Sequence, residues 1–218
     1  MKRPFFWTAF VVLALLLGDQ VTAASGPKSD RDPALANPHG ATYRGGLVTP
    51  PLPKPRFTLT DTSGASFDFW RETQGYVTLL FFGYTRCPDQ CPLHMANIAL
   101  SLQTRPTGVG DQVKVVFVTT DPARDNPNVL RSWLDRFDAR FIGLTGSDTA
   151  IEAAQRAARV PPARKASLVD KDYAVGHASF VLAYTKDNLA HLIYPSGVTQ
   201  EDWSHDLPLL CKEAWANR

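Results

Sequence analysis

The sequence has almost no net charge: the formal value is +2 over 218 residues, and +1 without the first 23. With no basic stripe along the chain, this argues against a general binder of polyanions such as nucleic acids. Internal repeats are absent, which excludes solenoids and arrays. The N-terminal apolar stretch Phe5 to Leu17 is too short to be an ordinary transmembrane helix. As a helix it would reach about 20 Å, against a hydrocarbon core of ~30 Å. The length allows one full core and is too short for two large domains.

That N-terminal stretch follows Lys2-Arg3 and leads into Val21-Thr22-Ala23. These are the charged start, apolar middle and small-residue end of a secretory signal. Residues 1–23 are therefore expected to be a signal peptide or a short membrane anchor, and the chain to be periplasmic, either soluble or tethered to the inner membrane. A mitochondrial presequence would be Arg-rich and amphipathic, which this segment is not. Residues 24–56 hold 7 of the 17 prolines and are expected to be a linker. The folded domain is expected over 57–218.

Within that domain, 57–60 and 66–69 flank Asp61-Thr62-Ser63-Gly64 as a hairpin signal. Val77 to Phe82 has the uncharged, β-branched and aromatic composition of a strand buried on both faces. A helical apolar face follows over 92–103, then a second buried-type strand over 113–118. Together they predict a right-handed βαβ unit. Asn126-Pro127 predicts a capped helix through Phe137, and 141–144 a short strand. Asp148 is expected to cap a helix that Pro161-Pro162 must stop. Strands over 177–184 and 189–194 form a second hairpin, and a last helix starts near Thr199. A βαβ half followed by a ββα half predicts an α/β, thioredoxin-like fold, a central mixed sheet flanked by helices.

Cysteine is scarce, with three in the chain, and two of them fall in Cys87-Pro88-Asp89-Gln90-Cys91. Pro92 suits the first position of the following helix, which puts Cys91 at its cap and both thiols near the helix N-terminus. There the unpaired N–H groups and helix dipole favour thiolate, as both a nucleophile and a metal ligand require. Outside the cytoplasm a structural disulfide is the first alternative. A five-residue loop gains little from being stapled, because the entropy removed grows with loop length. A redox dithiol or a metal site remains.

Gly83-Tyr84-Thr85-Arg86-Cys87-Pro88-Asp89-Gln90-Cys91-Pro92 resembles the signature of the SCO/SenC family, copper proteins of cytochrome c oxidase synthesis. Thr120 to Pro127, Gly143 to Gly146 and Asp172 to Lys186 follow in the family's order. The resemblance covers about 56–216. It implies a thioredoxin-like fold that binds one copper ion through Cys87, Cys91 and His177. The donor chemistry agrees, since thiolates suit Cu(I) and an added imidazole suits Cu(II). The implied role is a metallochaperone, not a turnover enzyme. It would deliver copper to, or prepare, the dinuclear CuA site of cytochrome c oxidase, with that oxidase's copper-site subunit as partner and other copper chaperones as further ones.

The rival reading is an enzyme, an extracytoplasmic thiol–disulfide oxidoreductase acting on the oxidase cysteines or in redox defence, in which Cys87 and Cys91 are the redox-active pair. Such enzymes usually carry Cys-x-x-Cys, and the wider spacing here counts against it. A plain binding module with a structural disulfide is opposed by His177 and by the short loop. One departure from the family stands out: Gly176 replaces the aspartate often found before the ligand histidine. A carboxylate that fixes the imidazole tautomer would then come from Asp170 or Asp172, and Gly176 would let the loop swing. His94, three residues after Cys91, is expected to be a solvated helix residue before an accidental extra ligand, His191 and His205 structural or exposed, and His39 solvated. Asp121, Arg124 and Asp125 are expected to shape the site's rim or simply a turn capped by Asn126. Cys211 is expected to be a buried apolar thiol.

Overall fold

Seven consecutive residues, Val77–Gly83, are all buried, and this strand organises the structure. The computed structural model describes residues 43–104, 108–167 and 173–212. In chain order these form β1 (Gly46–Pro53), β2 (Thr58–Asp61), β3 (Ser66–Asp68), α1 (Phe69–Glu72), β4 (Val77–Gly83) and α2 (Gln90–Gln103). Then follow β5 (Val113–Thr119), α3 (Pro127–Leu134), β6 (Ile142–Thr145), α4 (Asp148–Ala157), β7 (Arg164–Ser167) and β8 (Tyr173–Gly176). The last elements are β9 (Val181–Tyr184), β10 (Leu189–Tyr194) and α5 (Gln200–Lys212). Among the described residues no helix is long and apolar enough to cross a membrane.

Eight strands form one mixed sheet in the order β1-β10-β9-β4-β5-β6-β2-β3. β4, β5 and β6 run parallel, and β9 pairs antiparallel with the other side of β4. Alternation along β4 divides its side chains between two cores. Leu79 and Phe81 face a cluster with Met95 and Ile98 of α2, Leu130 and Trp133 of α3, and Trp203 and Leu207 of α5. Leu80 and Phe82 face a second cluster with Phe69, Ile151 and Ala154. Helices thus cover both faces of the sheet, and the predicted thioredoxin-like α/β arrangement is the one found. β7 and β8 form a separate two-stranded sheet.

Several boundaries differ from expectation. The segment assigned to a linker contains β1, which pairs antiparallel with β10, and Tyr43 before it is buried. Three prolines within β1 argue against a strand, yet β1 is a sheet edge, where proline costs no ladder bond on the outer side. The register also shifts between Leu47 and Leu52, which takes Pro50 and Pro51 out of regular pairing. Residues 177–180, expected to be strand, are irregular, and β9 begins at Val181. Ser147, not Asp148, caps α4, its side chain accepting from the Ala150 N–H. Asn126 caps α3 as expected. The proposed signal or anchor, His39, Asp170 and Asp172 lie outside the described residues.

Candidate metal centre

The cysteine loop leaves the C-terminal end of β4, where ligand sites of open α/β sheets form. Helix α2 starts earlier than predicted: Asp89 is the N-cap and makes no side-chain capping bond. Cys91 is therefore in the first turn, not at the cap, and Pro92 follows it there. Proline is tolerated at that depth because the first four N–H groups of a helix have no intrahelical partner. One of those free donors is used by the site itself, the Cys91 N–H lying 3.4 Å from Cys87 Sγ. Cys91 is fully buried and Cys87 half-buried. All three cysteines, Cys211 included, are free thiols.

The two sulfurs have opposite electrostatics. Cys87 is held down to about 3, chiefly by a hydrogen bond from the Cys91 thiol, with the His177 ring and then the N–H groups of Asp89 and Cys91 adding to it against burial. Burial pushes Cys91 well above the ordinary thiol range, and the neighbouring Cys87 pushes it further. The pair therefore holds one proton, on Cys91, across the neutral range, with the thiolate on the more exposed sulfur.

His177 arrives from the end of β8. One donor atom from each of Cys87, Cys91 and His177 lies within 4.8 Å of the others, and His177 Nε2 is 3.4 Å from Cys91 Sγ. The other ring nitrogen, Nδ1, is 3.0 Å from the Ala178 carbonyl. A carbonyl only accepts, so Nδ1 donates to it, and the bond holds the ring with Nε2 facing the sulfurs. A backbone oxygen therefore fills the part expected of Asp170 or Asp172. The imidazole stands edge-on to Phe81 and Tyr84, at 5.8 Å and 5.6 Å between centroids.

His94 departs from its expected solvated state. It is buried, lies 5.1 Å from Phe81 between ring centroids and places Nε2 3.3 Å from the Ser179 carbonyl. It thereby ties α2 to the segment that carries His177. Burial lowers its basicity. Gly176 is not a free hinge, being paired with Arg164 across the β7–β8 ladder.

The segment Asp121–Asp125, after β5, touches both halves of the site. The Asp125 carboxylate accepts from the Thr85 N–H at 2.9 Å, the Thr85 hydroxyl at 2.5 Å and the Thr119 hydroxyl at 2.7 Å. Asp121 accepts from the Tyr173 hydroxyl at 2.5 Å and is ion-paired with Arg124. Arg124 in turn donates to the Tyr173 carbonyl at 3.1 Å and covers its ring at 3.7 Å. Both carboxylates are fully buried, so they are more than turn formers.

The remaining candidates stand apart. His191 pairs with Asp187 at 2.7 Å and His205 with Asp206 at 2.7 Å, both away from the sulfurs in structural roles. Cys211 is buried in the apolar core as expected. Gly83 was missed: a Cβ there would lie 2.8 Å from Cys91 Sγ, so only glycine lets that sulfur approach β4. Its place at the end of a buried strand before the cysteine loop was the available signal.

The SCO1/SenC family profile matches residues 49–211. This chain belongs to the SCO1/SenC family. Protein sco1 of Schizosaccharomyces pombe is 32% identical over 131 residues, 59% of this chain and 50% of that protein. Mitochondrial SCO1 of Saccharomyces cerevisiae is 34% identical over 128 residues, 57% of this chain and 42% of that protein. The SCO1/SenC chain thus spans about half the length of these two relatives. Among solved structures, Bradyrhizobium japonicum ScoI with copper bound superposes with a TM-score of 0.65 at 31% identity, covering 73% of this chain and 99% of the other. Yeast Sco1 with copper bound gives 0.66 at 27% identity, covering 77% and 92%.

Proposed function

We propose that this SCO1/SenC protein binds one copper ion through Cys87, Cys91 and His177. It would then deliver the ion to, or use it to prepare, the dinuclear copper site of cytochrome c oxidase. The observation that carries the reading is the convergence of two sulfurs and an imidazole nitrogen within 4.8 Å, with the imidazole ring held from outside. Thiolates select soft ions and imidazole admits Cu(II), so this set tolerates both copper oxidation states. Donor chemistry alone would also admit zinc. Copper is favoured by the copper-bound relatives of the same family.

Copper is cargo here, held by three donors that leave room for an incoming ligand from the partner. Transfer is a ligand exchange in which partner donors replace these three in turn. The half-buried Cys87 is the accessible sulfur, and the buried Cys91 is the one that leaves last. An extracytoplasmic location, with the N-terminal segment 1–23 as signal or tether, is part of the same proposal, as is the oxidase copper-site subunit as partner.

A second reading is supported by the unequal thiols. An accessible thiolate beside a buried protonated thiol is the arrangement of a dithiol reductant. Cys87 would attack a partner disulfide, and Cys91 would then displace the mixed disulfide. That leaves Cys87–Cys91 oxidised and both partner thiols reduced. His177→Ala separates the readings, because imidazole donates to copper and is not needed for dithiol attack. The variant should weaken Cu(II) binding strongly and Cu(I) binding less, and fail to mature the oxidase at limiting copper. Normal maturation by His177→Ala, together with failure of Cys87→Ala and Cys91→Ala, would replace the copper reading with the reductant.

A further inference from the structure

We infer that the segment Asp121–Asp125 is a bracket that sets the spacing between the sulfurs and the imidazole, with Asp121 and Tyr173 as positioning residues for His177. The copper readouts of this inference rest on the proposed function. The bracket itself does not.

Among the described residues the β7–β8 hairpin pairs with no strand of the main sheet, and a two-stranded hairpin is marginal alone. Its orientation must come from side chains. Val175 gives an apolar anchor, but apolar burial is non-directional and does not fix the strand's angle. Lys165 of β7 reaches Asp148 at 3.3 Å and His94 meets the Ser179 carbonyl beyond His177, but the densest set of directional contacts is at Tyr173, at the start of β8: its hydroxyl reaches Asp121, its carbonyl receives Arg124, and its ring lies under the guanidinium. From Tyr173 to His177 is about 13 Å of extended chain at ~3.3 Å per residue. A small swing at the tyrosine therefore becomes a displacement of the imidazole comparable with its distance from Cys91.

The other side of the bracket is independent of the hairpin. Asp125 grips Thr85, two residues before Cys87, through both N–H and hydroxyl. One short segment, anchored at the end of β5, thus holds the cysteine loop with one carboxylate and the histidine strand with the other. The two halves should fail differently. Loss of the Asp125 grip disturbs the sulfurs and hence both copper states, whereas loss of the Asp121–Tyr173 contact disturbs only what depends on His177.

Tyr173→Phe removes one hydroxyl and leaves the ring under Arg124, so the fold survives, and Tyr173→Ala removes ring and hydroxyl together. In the purified protein, Tyr173→Phe should weaken Cu(II) about tenfold, the scale of one charge-assisted hydrogen bond, and shift the thiolate-to-Cu(II) absorption band. Tyr173→Ala should do more, and Cu(I) affinity should stay within about twofold in both. In the His177→Ala background the effect of Tyr173→Phe should vanish. In the metal-free protein, amide exchange should quicken at Val175 and Gly176 and stay unchanged in α2. Unchanged Cu(II) affinity and band in both tyrosine variants would overturn the bracket. Equal losses of Cu(I) and Cu(II), or an effect that persists without His177, would do the same. If the unaltered protein binds no copper, the proposed function falls, and the exchange rates alone decide the bracket.

Discussion

His177 Nε2 lies 3.4 Å from Cys91 Sγ across 86 positions of sequence. The two residues come from elements that share no strand pairing, one from a helix on the central sheet and one from the detached β7–β8 hairpin. The third donor therefore exists only in the folded chain, whereas the cysteines are neighbours even when it is unfolded. Folding thus brings an imidazole to a local dithiol, and the imidazole is the part most exposed to errors of packing.

The unequal thiols give a pH prediction for the reduced, metal-free protein. Cys87 is held down to about 3, so its alkylation by iodoacetamide should already be at its plateau near pH 5 and stay flat to pH 8. An ordinary thiol would still be rising toward pH ~8.5. Cys91→Ala removes the main hydrogen bond to the thiolate and should move the Cys87 midpoint upward. Linkage fixes the sign for stability. Between the folded midpoint and the ordinary thiol range the unfolded chain binds the extra proton, so this group adds stability as pH rises and loses it toward pH 3. Above that range Cys91 acts in reverse, keeping a proton that the unfolded chain releases. The difference in Tm between the protein and Cys87→Ser should therefore grow from pH 4 to pH 8. A Cys87 alkylation midpoint near 8.5 would refute the assignment.

The βαβ unit, the Asn126 cap and the Cys87–Cys91 pair were legible because each has a local signal, period, cap chemistry or motif, whereas His177 was placed beside the cysteines only by the family resemblance. What was not legible depended on distant partners. β1 has too many prolines to look like a strand and is specified by its partner β10. His94 has the residue type of a surface helix, and only the packing of Phe81 and the Ser179 carbonyl shows it to be internal. Asp121 and Asp125 suit a turn, and their burial follows from Tyr173 and Thr85, which lie 52 and 40 positions away. The start of α2 differs because Pro92 occupies the third helical position, not the first; the first turn tolerates proline there, since its N–H groups have no intrahelical partner.

Two glycines beside the site should respond oppositely to one added methyl group. At Gly83 a Cβ would lie 2.8 Å from Cys91 Sγ and 2.9 Å from the Phe81 ring. Gly83→Ala must displace the sulfur or the ring, with an overpacking cost of about 1–3 kcal/mol. At Gly176 the nearest atom would be the Arg164 carbonyl oxygen at 3.7 Å, an ordinary contact. Gly176→Ala should therefore be neutral or slightly stabilising, since it lowers the entropy of the unfolded chain. Thermal unfolding compares them directly, and Cu(II) titration should show a loss only for Gly83→Ala. A destabilised Gly176→Ala would mean that the hairpin needs glycine's freedom after all.

The last prediction concerns the edge strand that composition concealed. Asp206 of α5 is fully buried and accepts from the Arg44 N–H at 2.9 Å, the Gly45 N–H at 3.0 Å and the Tyr194 hydroxyl at 2.9 Å. Its other oxygen lies 2.7 Å from His205 Nδ1. The carboxylate thus closes the start of β1 onto α5 and β10, and β1 has a ladder on one side only. Asp206→Ala would leave several buried donors without an acceptor, at ~1–3 kcal/mol each. A total near 3 kcal/mol should lower Tm by roughly 6–12 °C in a chain of this size. The loss should be local at first: amide exchange at Leu47 and Leu52 should accelerate before that of β4 and β5, because edge strands open at lower free energy than central ones. Copper uptake should survive wherever the protein stays folded, since the cysteine loop and β8 make no contact with this carboxylate among the bonds described. Unchanged protection of β1 in Asp206→Ala, with Tm intact, would show that β10 pairing alone holds residues 46–53 in place.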